Sequence, residues 1–116
     1  MMPYRDRLSG TDANGSSIDG ITTYPTLTTI HTVPPLETHT IWLLITNTNA
    51  ADLEILGDVG EEADSFNHVA LGESTEVHGP ITLVGGSTGT SLTLAAISNP
   101  TNIKVCGSVE RYRSDR

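Results

Sequence analysis

The sequence predicts an all-β fold: an antiparallel β-sandwich, jelly-roll-like, of seven to eight short strands, with an extended N-terminal arm. Three observations carry the prediction. Seventeen of the 116 residues are threonine, whose branched β-carbon suits a pleated, half-exposed surface better than a helix. Short apolar/polar runs recur, divided by Gly, Pro, Asn and Ser turns. No segment keeps a helical apolar period for the roughly ten residues that a helix requires.

Residues 1–22 read as the arm, because Asp12-Ala13-Asn14-Gly15-Ser16-Ser17 is linker chemistry with few apolar anchors beside it. With so little apolar surface, the arm is expected to be disordered alone. Removing residues 1–20 should then leave the melting temperature nearly unchanged. Residues 23–112 form the sandwich domain, and residues 113–116 form a basic tail. Leu27 to Val33 alternates until Pro34-Pro35 stops it. Thr38 to Thr46 contains Ile41-Trp42-Leu43-Leu44-Ile45, an apolar run predicting a central strand covered on both faces. Asn47-Thr48-Asn49 is a turn, and Asp52 to Leu56 alternates again.

Gly57 to Asp64 reads as an acidic loop. Short strands are expected at Phe66–Leu71, Thr75–His78 and Ile81–Val84, the last two split by Gly79-Pro80. Gly85 to Gly89 is a flexible turn. Ser91–Ile97 and Ile103–Val109 complete the set, divided by residues 98–102. The expected core is Ile30, Ile41, Leu43, Ile45, Leu53, Ile55, Val69, Leu83, Leu92, Leu94, Ile97, Val105 and Val109. A chain of this length holds one such core, and no repeat suggests a second domain.

Charge is unevenly placed. Between Leu8 and Ile103 there is no lysine or arginine, yet eleven of the fourteen acids lie there. The net charge is −8, so an acidic body disfavours nucleic acid and anionic membranes as partners. The basic residues sit at the ends, where Tyr4, Arg5, Arg7, Arg111, Arg113 and Arg116 form a candidate protein interface for the acidic surface of a neighbour, including a second copy. Met1 to Arg7 lacks the apolar stretch of a signal peptide, and Ile41 to Ile45 is too short to span a bilayer. A soluble chain made in the cytosol is the expectation. The lone Cys106 excludes an intrachain disulfide.

No catalytic, cofactor-binding or metal residues are expected. His31, His39, His68 and His78 with Glu37 invite a metal reading. However, His31 and His39 are eight apart and Glu37 precedes its histidine, so the cupin-type spacing fails, and histidines on exposed strand faces are common. Residues 58–64 are acidic enough for calcium but lack EF-hand spacing, so they read as a solvated loop or a surface for a basic tail. Gly86-Ser87-Thr88-Gly89 is neither a nucleophile elbow nor a phosphate loop. Cys106 reads as an inert thiol in an apolar strand, and Trp42 as core or, alternatively, a sugar-stacking platform.

Thr32-Val33-Pro34-Pro35-Leu36-Glu37-Thr38, followed by Ile41 to Thr48, resembles a pattern of small tailed-bacteriophage virion proteins, in which a Val-Pro turn leads into an apolar strand and an Asn-Thr turn. Leu71-Gly72-Glu73-Ser74, Ile81-Thr82-Leu83-Val84, Ser91 to Ile97 and Cys106-Gly107-Ser108-Val109-Glu110 resemble its second half. The likeness covers residues 27–111 and departs at both ends. It implies a non-enzymatic building block located in the virion, without cofactor. The closest implied role is a capsid decoration (cement) protein that binds the major capsid protein or other virion proteins and self-associates in a symmetric assembly. A neck or tail adaptor, a fibre anchor, and a carbohydrate- or receptor-binding module are the alternatives.

Overall fold

A computed structural model describes residues 4–10, 18–19, 21–23, 26–59, 62–96 and 103–113. Among the described residues the chain forms nine strands and no helix. They are β1 (Tyr4–Arg7), β2 (Ile18–Asp19), β3 (Thr28–Val33), β4 (Glu37–Asn47), β5 (Leu53–Val59), β6 (Glu62–Ala70), β7 (Ser74–Val84), β8 (Thr90–Ala96) and β9 (Ile103–Arg113). One sheet runs β1-β9-β4-β7 with β2 also on β9, and the other runs β3-β8-β5-β6. The seven longer strands, β3 to β9, make the two-sheet sandwich.

The pairings nest. β1 and β2 pair with β9, β3 with β8, β4 with β7, and β5 with β6, all antiparallel. The chain is therefore one long hairpin bent at the β5–β6 turn. Rolling that hairpin adds the β4–β9 and β5–β8 pairings, which gives the jelly-roll topology expected from the sequence.

Period-two alternation sets the core. Along β4, Glu37, His39, Ile41, Leu43, Ile45 and Asn47 are all buried, while the residues between them are not. Their inward neighbours on β9 are Val109 beside Ile41 and Val105 beside Ile45. Of the expected core, Ile30, Ile41, Leu43, Ile45, Leu53, Ile55, Leu83, Leu92, Leu94, Val105 and Val109 are buried. Asn47 is fully buried and closes a corner between the sheets. Its Nδ2 donates to the carbonyls of Ala51 and Ala70 at 3.0 and 2.9 Å, and its Oδ1 accepts from the Asn49 amide at 2.9 Å. A buried amide thus satisfied costs little, whereas an aliphatic residue would orphan two carbonyls.

Several expectations change. The central strand β4 is covered on one face only: Trp42 is half-buried and Leu44 is 37% exposed. Val69 is 53% exposed, because Ala70 is the inward residue at that end of β6. Ile97 lies outside the described residues. The acidic stretch is largely strand, with Gly57–Val59 in β5 and residues 62–64 in β6; Gly60 and Glu61 lie outside the described residues. Gly79-Pro80 does not divide two strands. It forms a bulge within β7, opposite Trp42, where the β4–β7 register shifts. His31 and His39 are buried, at 3% and 2%, not on exposed faces.

The described residues of the arm also pack on the fold. Leu8 is 1% exposed and Ile21 5%, both within the core, and Gly10 N–H donates to the Ile30 carbonyl at 3.1 Å. Residues 8–10 thus leave β1 and cross to β3 of the opposite sheet, closing that side of the sandwich. The anchors are single apolar residues flanking a linker, so no run announces them. Burying one leucine stabilises by about 1.5–3 kcal/mol, enough to offset the ordering of one or two residues.

Leu8→Ala should therefore cost about 2–5 kcal/mol, comparable to Leu43→Ala, whereas Val69→Ala should change stability by less than about 0.5 kcal/mol. Urea unfolding midpoints of the three variants check this. A Leu8→Ala midpoint equal to that of the unmutated chain would restore the free arm.

Candidate functional site

The inward rows of β4 and β9 turn polar beyond Ile41 and Val109, and there four elements meet. The chain enters this corner through Pro34-Pro35-Leu36. Leu36 adopts a left-handed φ of 66°, and its amide donates to the Gly86 carbonyl at 2.8 Å. Glu37 and His39, two apart on β4, then share the inward face. Arg111 lies opposite His39 on β9. His31 arrives from β3 because the register shifts between Thr29 and His31, so that consecutive Ile30 and His31 are both buried.

The hydrogen bonds form one directed chain. The Ser9 amide donates to His31 Nδ1 at 3.0 Å. A backbone amide can only donate, so neutral His31 carries its proton on Nε2, which lies 2.8 Å from His39 Nδ1. His39 in turn carries its proton on Nε2 and donates to Glu37 Oε1 at 2.7 Å. The Arg111 guanidinium donates to the same oxygen, with Nε at 3.2 Å and Nη2 at 3.1 Å. The His39 hydrogen bond holds the Glu37 carboxyl below its ordinary range, and burial opposes this. The hydrogen bonds and charge of Arg111 add to the lowering.

A cleft of about 380 Å³ opens here, lined by Arg7, Leu8, Ser9, His31, Thr32, Pro34, His39 and Arg111. A histidine–histidine–glutamate chain could in principle relay a proton, but the terminal Nδ1 is capped by the Ser9 amide. The Ser9 hydroxyl is also turned away, accepting from the Thr32 amide at 2.8 Å. The work of this hydrogen-bond chain is to tie residues 8–10 and both sheets together.

The candidate interface residues gather at the same corner. β1 and β9 pair with Tyr4 opposite Arg111, Arg5 opposite Glu110 and Arg7 opposite Ser108. Residues more than a hundred positions apart thus share one sheet edge. Arg7 and Arg113 are exposed, whereas Arg111 is engaged with Glu37. Arg116 lies outside the described residues.

A second histidine cluster stands where the edge strands β6 and β7 face each other. His68 of β6 lies opposite the buried Ile55, and Glu76 and His78 of β7 lie opposite the buried Ile45 and Leu43, so all three occupy inward positions. His68 Nε2 is 3.1 Å from Glu76 Oε1, and the His68 and His78 rings are 5.2 Å apart at 66°. Burial, and then the charge of His68, lowers the His78 pKa. Inward-pointing polar groups also keep such edges from pairing with other chains.

The outer face of the five-stranded sheet carries Trp42 and Tyr112. Trp42 is opposite Ser108, and Tyr112 is opposite Thr38, so the two residues stand about 13 Å apart along the strands, at about 3.3 Å per residue. Half-buried Cys106 lies on this face beside Leu44, not within the core.

Sequence reasoning singled out the four histidines and Glu37 but not their division into two inward-facing clusters. The available signal was Glu37-Thr38-His39, two polar residues in phase with the buried Ile41, Leu43 and Ile45.

Glu37→Gln should destabilise the protein at pH 7 by about 1–3 kcal/mol, since Arg111 and His39 lose their charged partner. A carboxyl held low in the folded state adds stability above its unfolded value, 4.5, and loses it as pH falls through the folded value. The difference between the two proteins should therefore shrink below pH 4.5 in paired urea titrations. A difference that stays constant across that window would place the effect elsewhere.

Comparison with protein-family models, curated proteins and solved structures gives no match for this chain.

Proposed function

We propose that this chain is a non-enzymatic structural component of a virion, acting as a capsid decoration (cement) protein that binds the shell surface and stabilises it. The observation that carries the reading is the gathering of basic residues from both ends onto paired strands β1 and β9, at one edge of an otherwise acidic domain. Two acidic surfaces repel, so a basic edge gives such a domain one orientation in which to dock. The complementary partner is an acidic surface of the major capsid protein, another virion protein or a second copy.

Each exposed ion pair contributes no more than about 1 kcal/mol. A lattice of identical sites multiplies that contribution, which suits a shell better than a single docking event. The likeness of residues 27–111 to small bacteriophage virion proteins points the same way. A neck or tail adaptor, or a fibre anchor, would use the same edge. One observation favours a second reading, a carbohydrate- or receptor-binding module: Trp42 and Tyr112 stand on one outer face, and partly exposed aromatics stack on sugars.

Purified protein added to particles lacking it should bind and raise their resistance to heat. Its occupancy should fall as salt rises. Arg7→Glu with Arg113→Glu should weaken binding roughly fivefold to tenfold. Occupancy unaffected by salt and by the double variant would overturn the basic-edge reading. Reproducible glycan-array hits lost on Trp42→Ala would support the second reading instead.

A further inference from the structure

We propose that the outer face of the five-stranded sheet is a self-association surface, on which a second copy of this chain stacks antiparallel about a two-fold axis. The middle of this face is uncharged in a chain of net charge −8. The outward positions of β4 and β7 carry threonines and large apolar residues and no charge. Val77 is 68% exposed opposite Leu44, and Val84 is 65% exposed opposite Thr38. Half-buried Trp42 stands between them. The other sheet differs, because Glu54 and Asp58 of β5 occupy outward positions there. Copies of an acidic chain repel, so they meet at least cost where acids are absent.

The charges that do lie on this face select a second copy as its occupant. On β9 the charged outward residues are exposed Lys104 and half-buried Glu110, spaced equally on either side of Gly107. Gly107 pairs with Leu43, the inward residue between Trp42 and Leu44. Consider a two-fold axis in the plane of the face, perpendicular to the strands, passing at Gly107 and Leu43. It reverses the strands and sets β9 upon β9, so Lys104 of each copy meets Glu110 of the other. The margin repeats the pattern in register. Arg5 of β1 stands opposite Glu110 and Asp19 of β2 opposite Lys104, so a basic position again meets an acidic one. Arg7 lies at the sheet's margin and lines the corner cleft, outside the stacked strands. On β4, Trp42 of each copy meets Leu44 of the other, and on β7 Val77 meets the Gly79-Pro80 bulge. An isologous contact demands this kind of self-complementarity.

Stacked sheets cross at about 30°, which displaces Lys104 by about 5 Å, within reach of its long side chain. The three central strands span about 26 Å by about 14 Å, at about 3.3 Å per residue and 4.8 Å per strand. That is nearly half of the roughly 800 Å² per partner that a standard interface buries. The dimer is therefore weak and fills at high local concentration. The inference does not rest on the virion reading. A dimer in solution requires no shell, and the basic edge at Arg7 and Arg113 can dock a monomer.

The test is sedimentation velocity of the full chain, kept reduced so that Cys106 cannot link copies. Between about 10 μM and about 1 mM it should pass from monomer to dimer. Lys104→Glu and Glu110→Lys each put like charges in contact twice per dimer, and each should weaken association roughly tenfold or more. The double variant restores opposite charges and should recover association to within about threefold of the unmutated chain. Val77→Arg, at a position open to solvent, should abolish the dimer. Circular dichroism checks that each variant keeps the sheet, and if Glu110→Lys does not fold, Lys104→Glu and Val77→Arg still decide. A chain monomeric at about 1 mM, a dimer untouched by these variants, or a folded double variant that fails to recover would overturn the proposal. A monomer whose glycan binding is lost in Trp42→Ala would assign the face to a sugar instead.

Discussion

The pairing of β4 with β9 is the constraint on which the rest of the structure depends. Every residue from Glu37 to Asn47 stands opposite one from Arg113 to Ile103, and β4 is paired along its other edge with β7. Without this seam the chain would be a long two-legged hairpin, and a two-layer ribbon buries too little surface to be stable in water. Rolling the hairpin onto itself encloses the inward rows. Parity along β4 then decides the fate of every side chain in that sheet, because a slip of one residue would exchange the inner and outer faces.

The same rows run past the apolar core at both ends, and this explains where the polar chemistry sits. On β4 the inward row ends in His39 and Glu37, and on β9 the inward residue beside them is Arg111. These groups cannot turn to water without breaking the strand's parity. They are held inside and must satisfy one another, which the directed chain from Ser9 to Arg111 accomplishes. The register shift in β3 supplies the missing member by turning His31 inward. Closure of the arm is a consequence: the first donor is the Ser9 amide, so residues 8–10 must lie on β3 for the histidines to be satisfied.

Much of the sandwich was legible in the sequence, because alternation is a local signal. Leu53-Glu54-Ile55 and Leu92-Thr93-Leu94 declare their inward residues without ambiguity. The misreadings share a physical cause. Ile41-Trp42-Leu43-Leu44-Ile45 has no polar residue to mark its outer face, so Trp42 passes for core although its neighbours Ile41 and Leu43 take the interior. Along Asn67-His68-Val69-Ala70 the polarity of the residues opposes their actual parity: Ala70 is inward beside Leu53, which forces Val69 outward and His68 inward. A hydropathy pattern counts histidine as polar and sends it to the surface. Tertiary registry overrules that wherever bulges shift the phase, as at Thr29–His31 and at Gly79-Pro80. The anchoring of the arm was not legible because Leu8, Ile18 and Ile21 are isolated apolar residues whose partners lie far along the chain, as Val105 does for Ile18, or in the core.

Charge follows from the same topology. A jelly roll pairs the first strand with the last, so whatever the two ends carry must become one edge. In this chain of net charge −8 the ends carry the basic residues, and the pairing brings Arg7, Arg111 and Arg113 onto neighbouring strands. One of those arginines, Arg111, is drawn inward by its parity and neutralised by Glu37. Arg7, in β1, and Arg113, at the end of β9 beyond the core, are exposed. The division between a structural and an outward-facing arginine is thus set by strand parity and by distance from the core, not by residue type. The histidines divide in a similar way. At the closed side of the sandwich an arm amide completes the chain of partners, while at the β6–β7 side His68 Nε2 and Glu76 Oε1 face each other at 3.1 Å. Identical residue types thus make a continuous hydrogen-bonded chain at one edge and a close histidine–glutamate pair at the other.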